Sequence, residues 1–174
     1  MKFKIKKSPV LTRNYNNLET VISGGQIGVD QAGLMAARRV GLKTGGHTVK
    51  GYLTKDGCRP SQKIIYHLED DCPDYRSRTR KNVQTSDGTI RLAYNFQSPG
   101  ELCTLRAIRD YYKPSLDIIL HAEELRPIEE VALWIVMNDI KILNIAGNAD
   151  KVLLEPVIDY LVDVFNKVIW KEHV

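Results

Sequence analysis

Apolar residues recur along this chain in two rhythms. Short β-branched runs at Leu18–Ser23, Thr89–Tyr94, Leu116–Leu120 and Ile142–Ala146 have the length and flanking turns of buried strands. Between them the period lengthens to that of a helix. Val29–Val40 carries Val29, Ala32, Gly33, Ala36 and Val40 on one face, and Leu154–Trp170 carries Val157, Leu161, Val164, Phe165 and Val168. Further helices are predicted at Tyr75–Thr85, Pro99–Tyr112 and Pro127–Asp139, the last two opened by proline, which suits a first helical turn. Gly41 stands where a helix-ending glycine belongs. Thr44–Val49 reads as one short strand. Lys50–Pro73, broken by Gly51, Gly57, Pro60 and Pro73, follows neither rhythm and is expected to be a long irregular loop.

Strands alternating with helices predict an α/β, Rossmann-like three-layer fold around a mainly parallel sheet of about five or more strands. Residues 18–174 read as a single domain, preceded by a strand or tail at 1–17, with no internal repeat or linker. Ligands of such sheets bind beyond the carboxyl ends of the strands. That rule puts Gly24-Gly25, the segment after Tyr94, and Gly147 on one rim.

Composition narrows the function classes. Hydrophobic residues make up 43% and charged residues 26% of the 174 positions, which is enough apolar material for a core. No stretch approaches the ~20 apolar residues of a membrane span, and the lysines of MKFKIKKSPV lead into no signal-peptide core. Cys58, Cys72 and Cys103 are odd in number and widely spaced, so free thiols and a reducing, cytoplasmic setting are expected. His47, His67, His121 and His173 show no paired ligand spacing, and no metal site is expected. A net charge of +4 suits an anionic small ligand. Membranes and nucleic acid are not expected as partners, while the long last helix and Trp134 are compatible with a homo-oligomer.

Four polar clusters fall near predicted strand ends. In Ser23-Gly24-Gly25-Gln26 with Gly28 and Asp30, a glycine-rich turn meets a helix N-terminus, where free N–H groups and the helix dipole attract an anion, usually phosphate. Asp30 would repel a phosphate beside it and suits a ribose hydroxyl or the N–H edge of a heterocycle. In Gly45-Gly46-His47-Thr48-Val49-Lys50-Gly51, Lys50 offers a point charge to a phosphate. Arg78 and Asn82 share a helix face, and Ser86-Asp87-Gly88-Thr89 forms a turn into a strand. At Ser98-Pro99-Gly100-Glu101 with Thr104, Ser98 is a candidate cap and Glu101 a candidate general acid. Asp30 and Arg78 are the other candidate catalytic groups; no nucleophilic triad is apparent.

Taken in order, SGGQIGVDQAGL (Ser23–Leu34), GGHTVKG (Gly45–Gly51), Asp56-Gly57, RTRKNVQTSDGTI (Arg78–Ile90) and LNIAG (Leu143–Gly147) resemble one family. It is the family called putative molybdenum carriers, a circularly permuted branch of the SLOG superfamily of Rossmann-like nucleotide-binding domains. The resemblance covers roughly residues 18 to 170. It implies a ligand pocket at the first glycine motif and maps Gly24, Gly25, Asp30, Lys50, Arg78, Asn82, Ser86, Asp87 and Thr89 onto motif positions. It also implies a nucleotide or molybdenum-cofactor (pterin) ligand. The chain departs from the family pattern at Ile27, Gln31, His47, Thr48, the Ser98–Glu101 junction and Asn148-Ala149-Asp150.

The leading expectation is thus a binding protein for a phosphorylated small ligand, held by Ser23, Gly24, Gly25, Gln26, Gly28, Asp30, Lys50, Arg78, Asn82, Ser86, Asp87, Thr89 and Gly147. The alternatives are a phosphoribohydrolase-like enzyme cleaving nucleoside monophosphates and an interaction protein with a degenerate pocket.

Overall fold

A computed structural model describes residues 18–121, 125–148 and 154–169. The expected tail at 1–17, Ala149-Asp150, Trp170 and His173 lie outside the described residues. Five strands form one parallel sheet: β1 (Thr20–Ile22), β2 (Lys43–Gly45), β7 (Gly88–Ala93), β8 (Ser115–Ile119) and β9 (Ile142–Gly147), in the order β2-β1-β9-β7-β8. Helix α6 (Leu154–Ile169) packs on both α1 (Val29–Arg39) and α5 (Ile128–Met137), while α3 (Tyr75–Thr85) and α4 (Pro99–Asp110) form a second group. This is the expected α/β, Rossmann-like arrangement.

The strands are two-sided in character. Ile90, Leu92, Ile118, Leu143 and Ile145 enter the main apolar core with the inner faces of α1, α5 and α6. The residues between them, Thr89, Arg91, Asp117 and Asn144, are polar and point the other way, as strand alternation requires. The α3–α4 pair has only a small apolar cluster of its own, Val83, Ala107 and Ile108. The sheet therefore carries a polar stripe on that side, and the cavity described below lies against it.

Two element expectations change. The single strand over Thr44–Val49 is two: β2 pairs with β1, and β3 (His47–Val49) leaves for a second small sheet with β6 (Glu69–Cys72). The break falls at Gly46, where φ is +125° and a Cβ would stand 2.2 Å from the Ser23 carbonyl oxygen. Neither the backbone angle nor the space admits a side chain there. The expected loop at Lys50–Pro73 is instead a small lobe: a β4 (Leu53–Thr54) and β5 (Gly57–Cys58) hairpin, α2 (Ser61–Tyr66) and β6. Its own core is Leu34, Tyr52 and Leu68, too few apolar residues for a visible periodicity.

Candidate functional site

A cavity of about 590 Å³ opens at the carboxyl ends of β1, β7 and β9, between the N-termini of α1 and α4 and the flank of α3. Such a volume suits a nucleotide-sized ligand. Of the expected residues, Gly24, Gln26, Asp30, Arg78, Asn82, Glu101 and Gly147 line it.

The glycine loop is closed on itself. Asp30 folds back from the first turn of α1 so that its carboxylate accepts the N–H of Gln26 at 3.2 Å and interacts with that of Gly24. Ser23 Oγ takes the Gly25 N–H at 3.2 Å, and Gln26 Oε1 takes the Ile27 N–H at 3.0 Å. The Val29 N–H goes to the Asn148 carbonyl at 3.1 Å. These donors, expected to hold a phosphate, are occupied from within, those of Gln26 and Gly24 by the Asp30 carboxylate.

Arg78 completes that arrangement. Its Nη1 donates to Asp30 Oδ2 at 2.7 Å, and the guanidinium lies over the Tyr75 ring. Gly24 is a glycine for this reason: a Cβ there would stand 1.6 Å from Arg78 Nη1. Burial raises the Asp30 pKa, with Arg78 and the loop N–H groups pulling it back. Gly147 allows β9 to pass β7, since its Cβ would meet the Leu92 carbonyl oxygen at 1.9 Å.

Across the cavity, α4 begins at Ser98. The Ser98 side chain caps it by accepting the Glu101 N–H at 3.4 Å, and Thr104 Oγ1 donates to the Gly100 carbonyl. Glu101 is 3% exposed, and its Oε2 has no hydrogen-bond partner among the described residues. Burial, opposed by Arg91 and reinforced by Asp30 and Asp117, pushes its pKa up to about 7. Beside it a second cavity of about 370 Å³ is lined by Arg76, Arg80 and Arg106, and shares Arg76, Pro99 and Cys103 with the first.

Other expected residues lie elsewhere or serve the scaffold. Lys50 is exposed in the turn after β3, away from the cavity. Ser86 and Asp87 sit at the opposite end of the sheet, where Asp87 Oδ2 accepts the Lys141 and Ile142 N–H groups and Ser86 O accepts Lys113 Nζ. Thr89 is buried, receiving Asn144 Nδ2 at 3.2 Å. Asn82 reaches the cavity but clamps the His47 backbone, accepting its N–H at 2.8 Å and donating to its carbonyl at 2.9 Å. Gly28 precedes α1 as its N-cap.

Gly25 turns away from the cavity. At φ +70°, its Cβ would strike Leu68 Cδ1 at 2.5 Å and Gln62 Oε1 at 2.8 Å. Gln62 Nε2 in turn donates to the Gly25 carbonyl at 2.7 Å, so the glycine loop rests on the small lobe.

Sequence reading missed three contributors. Arg91 and Asp117 are register partners on β7 and β8, joined at 2.8 and 2.5 Å beneath Glu101. Asn148 ties the ends of β7, β9 and α1 together by accepting the Tyr94 and Val29 N–H groups and donating to Leu92. Polar residues at alternate positions of apolar strands, Thr89, Arg91, Asp117 and Asn144, were the signal available for the Arg91–Asp117 pair. The third grouping is His47, Glu69 and Asp71, with His47 Nδ1 3.1 Å from Asp71 Oδ1 and 3.8 Å from Glu69 Oε2. Only the β3–β6 pairing brings them together, and Lys81 Nζ already sits 2.5 Å from Asp71 Oδ2.

Comparison with known proteins agrees with this architecture. A search of curated proteins finds no match. A crystal structure of the putative molybdenum carrier protein from Syntrophus aciditrophicus SB is similar over 89% of this chain and 97% of that one. The two are 31% identical, with a TM-score of 0.72. The family profile for circularly permutated YpsA SLOG proteins matches residues 21–159, from inside β1 to inside α6, and so spans every strand and the whole cavity wall. The chain belongs to the circularly permutated YpsA SLOG family.

Proposed function

We propose that this protein binds a phosphorylated small molecule, a nucleotide or a pterin of the molybdenum-cofactor type, in the cavity at the carboxyl ends of β1, β7 and β9. The observation that carries the reading is a cavity of about 590 Å³ between two helix N-termini, with charged groups held in place around it. Because Asp30 fills the glycine loop, the phosphate belongs at the other helix end, near the Gly100 N–H and the arginines of α3. Asp30, fixed by Arg78, then faces ribose hydroxyls or the N–H edge of the heterocycle, and Asn144 lines the same side. Gly24 and Gly147 give the ligand backbone to lie against. Family membership and the molybdenum-carrier name of the similar crystal structure support this choice of ligand class. The natural setting of the reading is a reducing, cytoplasmic one.

Calorimetry and thermal shift with AMP, GMP, a pterin phosphate and molybdate test the reading. Stoichiometric binding of at least one, weakened by Arg78→Met by ~1–3 kcal/mol, is expected. Absence of binding across the panel would leave the third expectation, an interaction protein built on this fold. A second reading, cleavage of nucleoside monophosphates, is favoured by one observation: Glu101 is a buried acid with a pKa near neutrality, as a general acid requires. Release of free base from AMP or GMP would establish it.

A further inference from the structure

Ser98 and Glu101 have the spacing of a capping box, in which the acidic residue returns a bond to the N–H of the cap. Only half of that motif is formed. Ser98 Oγ accepts the Glu101 N–H, while Glu101 Oε2 stays buried on the cavity wall without a hydrogen-bond partner among the described residues. Its cationic neighbour is Arg91, whose Nη1 stands 3.9 Å away, beyond hydrogen-bonding reach.

Arg91 is committed elsewhere. Nε and Nη2 hold Asp117, Nη1 donates to the Glu101 carbonyl at 3.2 Å, and the guanidinium lies 4.9 Å from the centre of the Phe96 ring. On α3, Arg78 gives its Nη1 to Asp30, and its buried Nε has no hydrogen-bond partner among the described residues. The charged groups facing Glu101 are thus Arg91 from β7, which favours its ionised form, and Asp117 from β8 and Asp30 from α1, which oppose it. A buried carboxylate without a partner is costly, and a neutral acid far less so. A phosphate arriving in the cavity adds negative charge and tilts the balance further toward the neutral form.

Resting on the binding reading above, we infer that Glu101 acts as a neutral carboxylic acid that donates a hydrogen bond to an uncharged acceptor on the ligand. The acceptor is a ring nitrogen or carbonyl oxygen of a heterocycle that also carries a phosphate. The site thereby selects ligands with an acceptor edge at α4 and holds them more tightly in acid than in base. Removing the proton removes the donor and sets a carboxylate oxygen against the acceptor's lone pair.

Two measurements on the full chain test this. Side-chain carboxyls are titrated by carbon-13 NMR without ligand, with Glu101 identified by the signal lost in Glu101→Gln. AMP and GMP affinities are then measured by calorimetry at pH 6 and pH 8, for both proteins. The expected results are a Glu101 midpoint near 7 and a wild-type affinity that falls about tenfold more than the variant's over that interval. Glu101→Gln, whose amide keeps a donor, should bind at pH 8 about as the wild type does at pH 6. Equal pH slopes in the two proteins overturn the donor role. A midpoint in the ordinary carboxylate range overturns it as well, even if both nucleotides bind. A midpoint near 7 with neither nucleotide bound at either pH overturns the pocket reading, and the donor role with it.

Discussion

Asp30 and Glu101 line one cavity and are both pushed upward in pKa by burial, yet Asp30 Oδ2 is hydrogen-bonded while Glu101 Oε2 has only the Arg91 charge 3.9 Å away. The difference has a consequence for stability. Glu101 titrates near 4.5 when exposed and near 7 in the fold, so between those values the folded chain holds the extra proton. Stability from this group is fully present below pH 4.5 and is lost as pH rises toward 7, by about 3 kcal/mol in total. Denaturant unfolding across that range should show the fall in wild type, and Glu101→Gln should remove it. If the variant keeps the same slope, Glu101 is not the buried acid. None of this was legible from Ser98-Pro99-Gly100-Glu101, where a capping role and a catalytic role look alike. Arg91, held by Asp117, leaves Glu101 Oε2 without a hydrogen bond, and both residues come from strands distant in sequence.

At the scale of elements, the glycine loop shows that strand, turn and helix can be read from the chain while the facing of each turn residue cannot. The strand, turn and helix over residues 20–39 stand almost where the apolar pattern puts them. Within the turn, the sequence reading assigns Gly25 to the ligand, whereas the structure sets it against α2 and the Leu68 side chain. Gly25→Val is therefore expected to act on folding. A β-branched residue at φ +70°, with Leu68 Cδ1 at 2.5 Å, should cost at least ~2 kcal/mol. The measurement is the urea midpoint without ligand. A variant as stable as wild type would return Gly25 to the cavity as a ligand-facing position. The small lobe was illegible for a related reason: its strands are two to four residues long and its core is three buried residues. Elements of that size leave no period to detect.

For the whole molecule, the described cysteines are all free: Cys58 is exposed, Cys72 is buried and Cys103 is partly buried beside the cavity. Burial, with Asp71 beside it, pushes the Cys72 thiol up to about 11, so it stays protonated at neutral pH. Titration with a thiol reagent should find Cys58 and Cys103 in the native chain before Cys72, and three thiols per chain after denaturation without reductant. Recovery of one would reveal a disulfide and contradict the structure. No helix among the described residues is long and apolar enough to cross a membrane.

The sequence by itself determined the layered α/β plan, the order of its long helices and the rim on which a ligand would sit. Those features follow from periodicity and glycine placement, which are local and repeat over many residues. Tertiary structure decided which of the rim's polar residues face the cavity. It folded Asp30 into the glycine loop beneath Arg78, forty-eight positions away. It also sent Lys50, Ser86 and Asp87 elsewhere and left Glu101 Oε2 buried without a hydrogen bond among the described residues. Each of these outcomes rests on pairing between strands distant in sequence and on donors shared among several elements, and no local pattern encodes either.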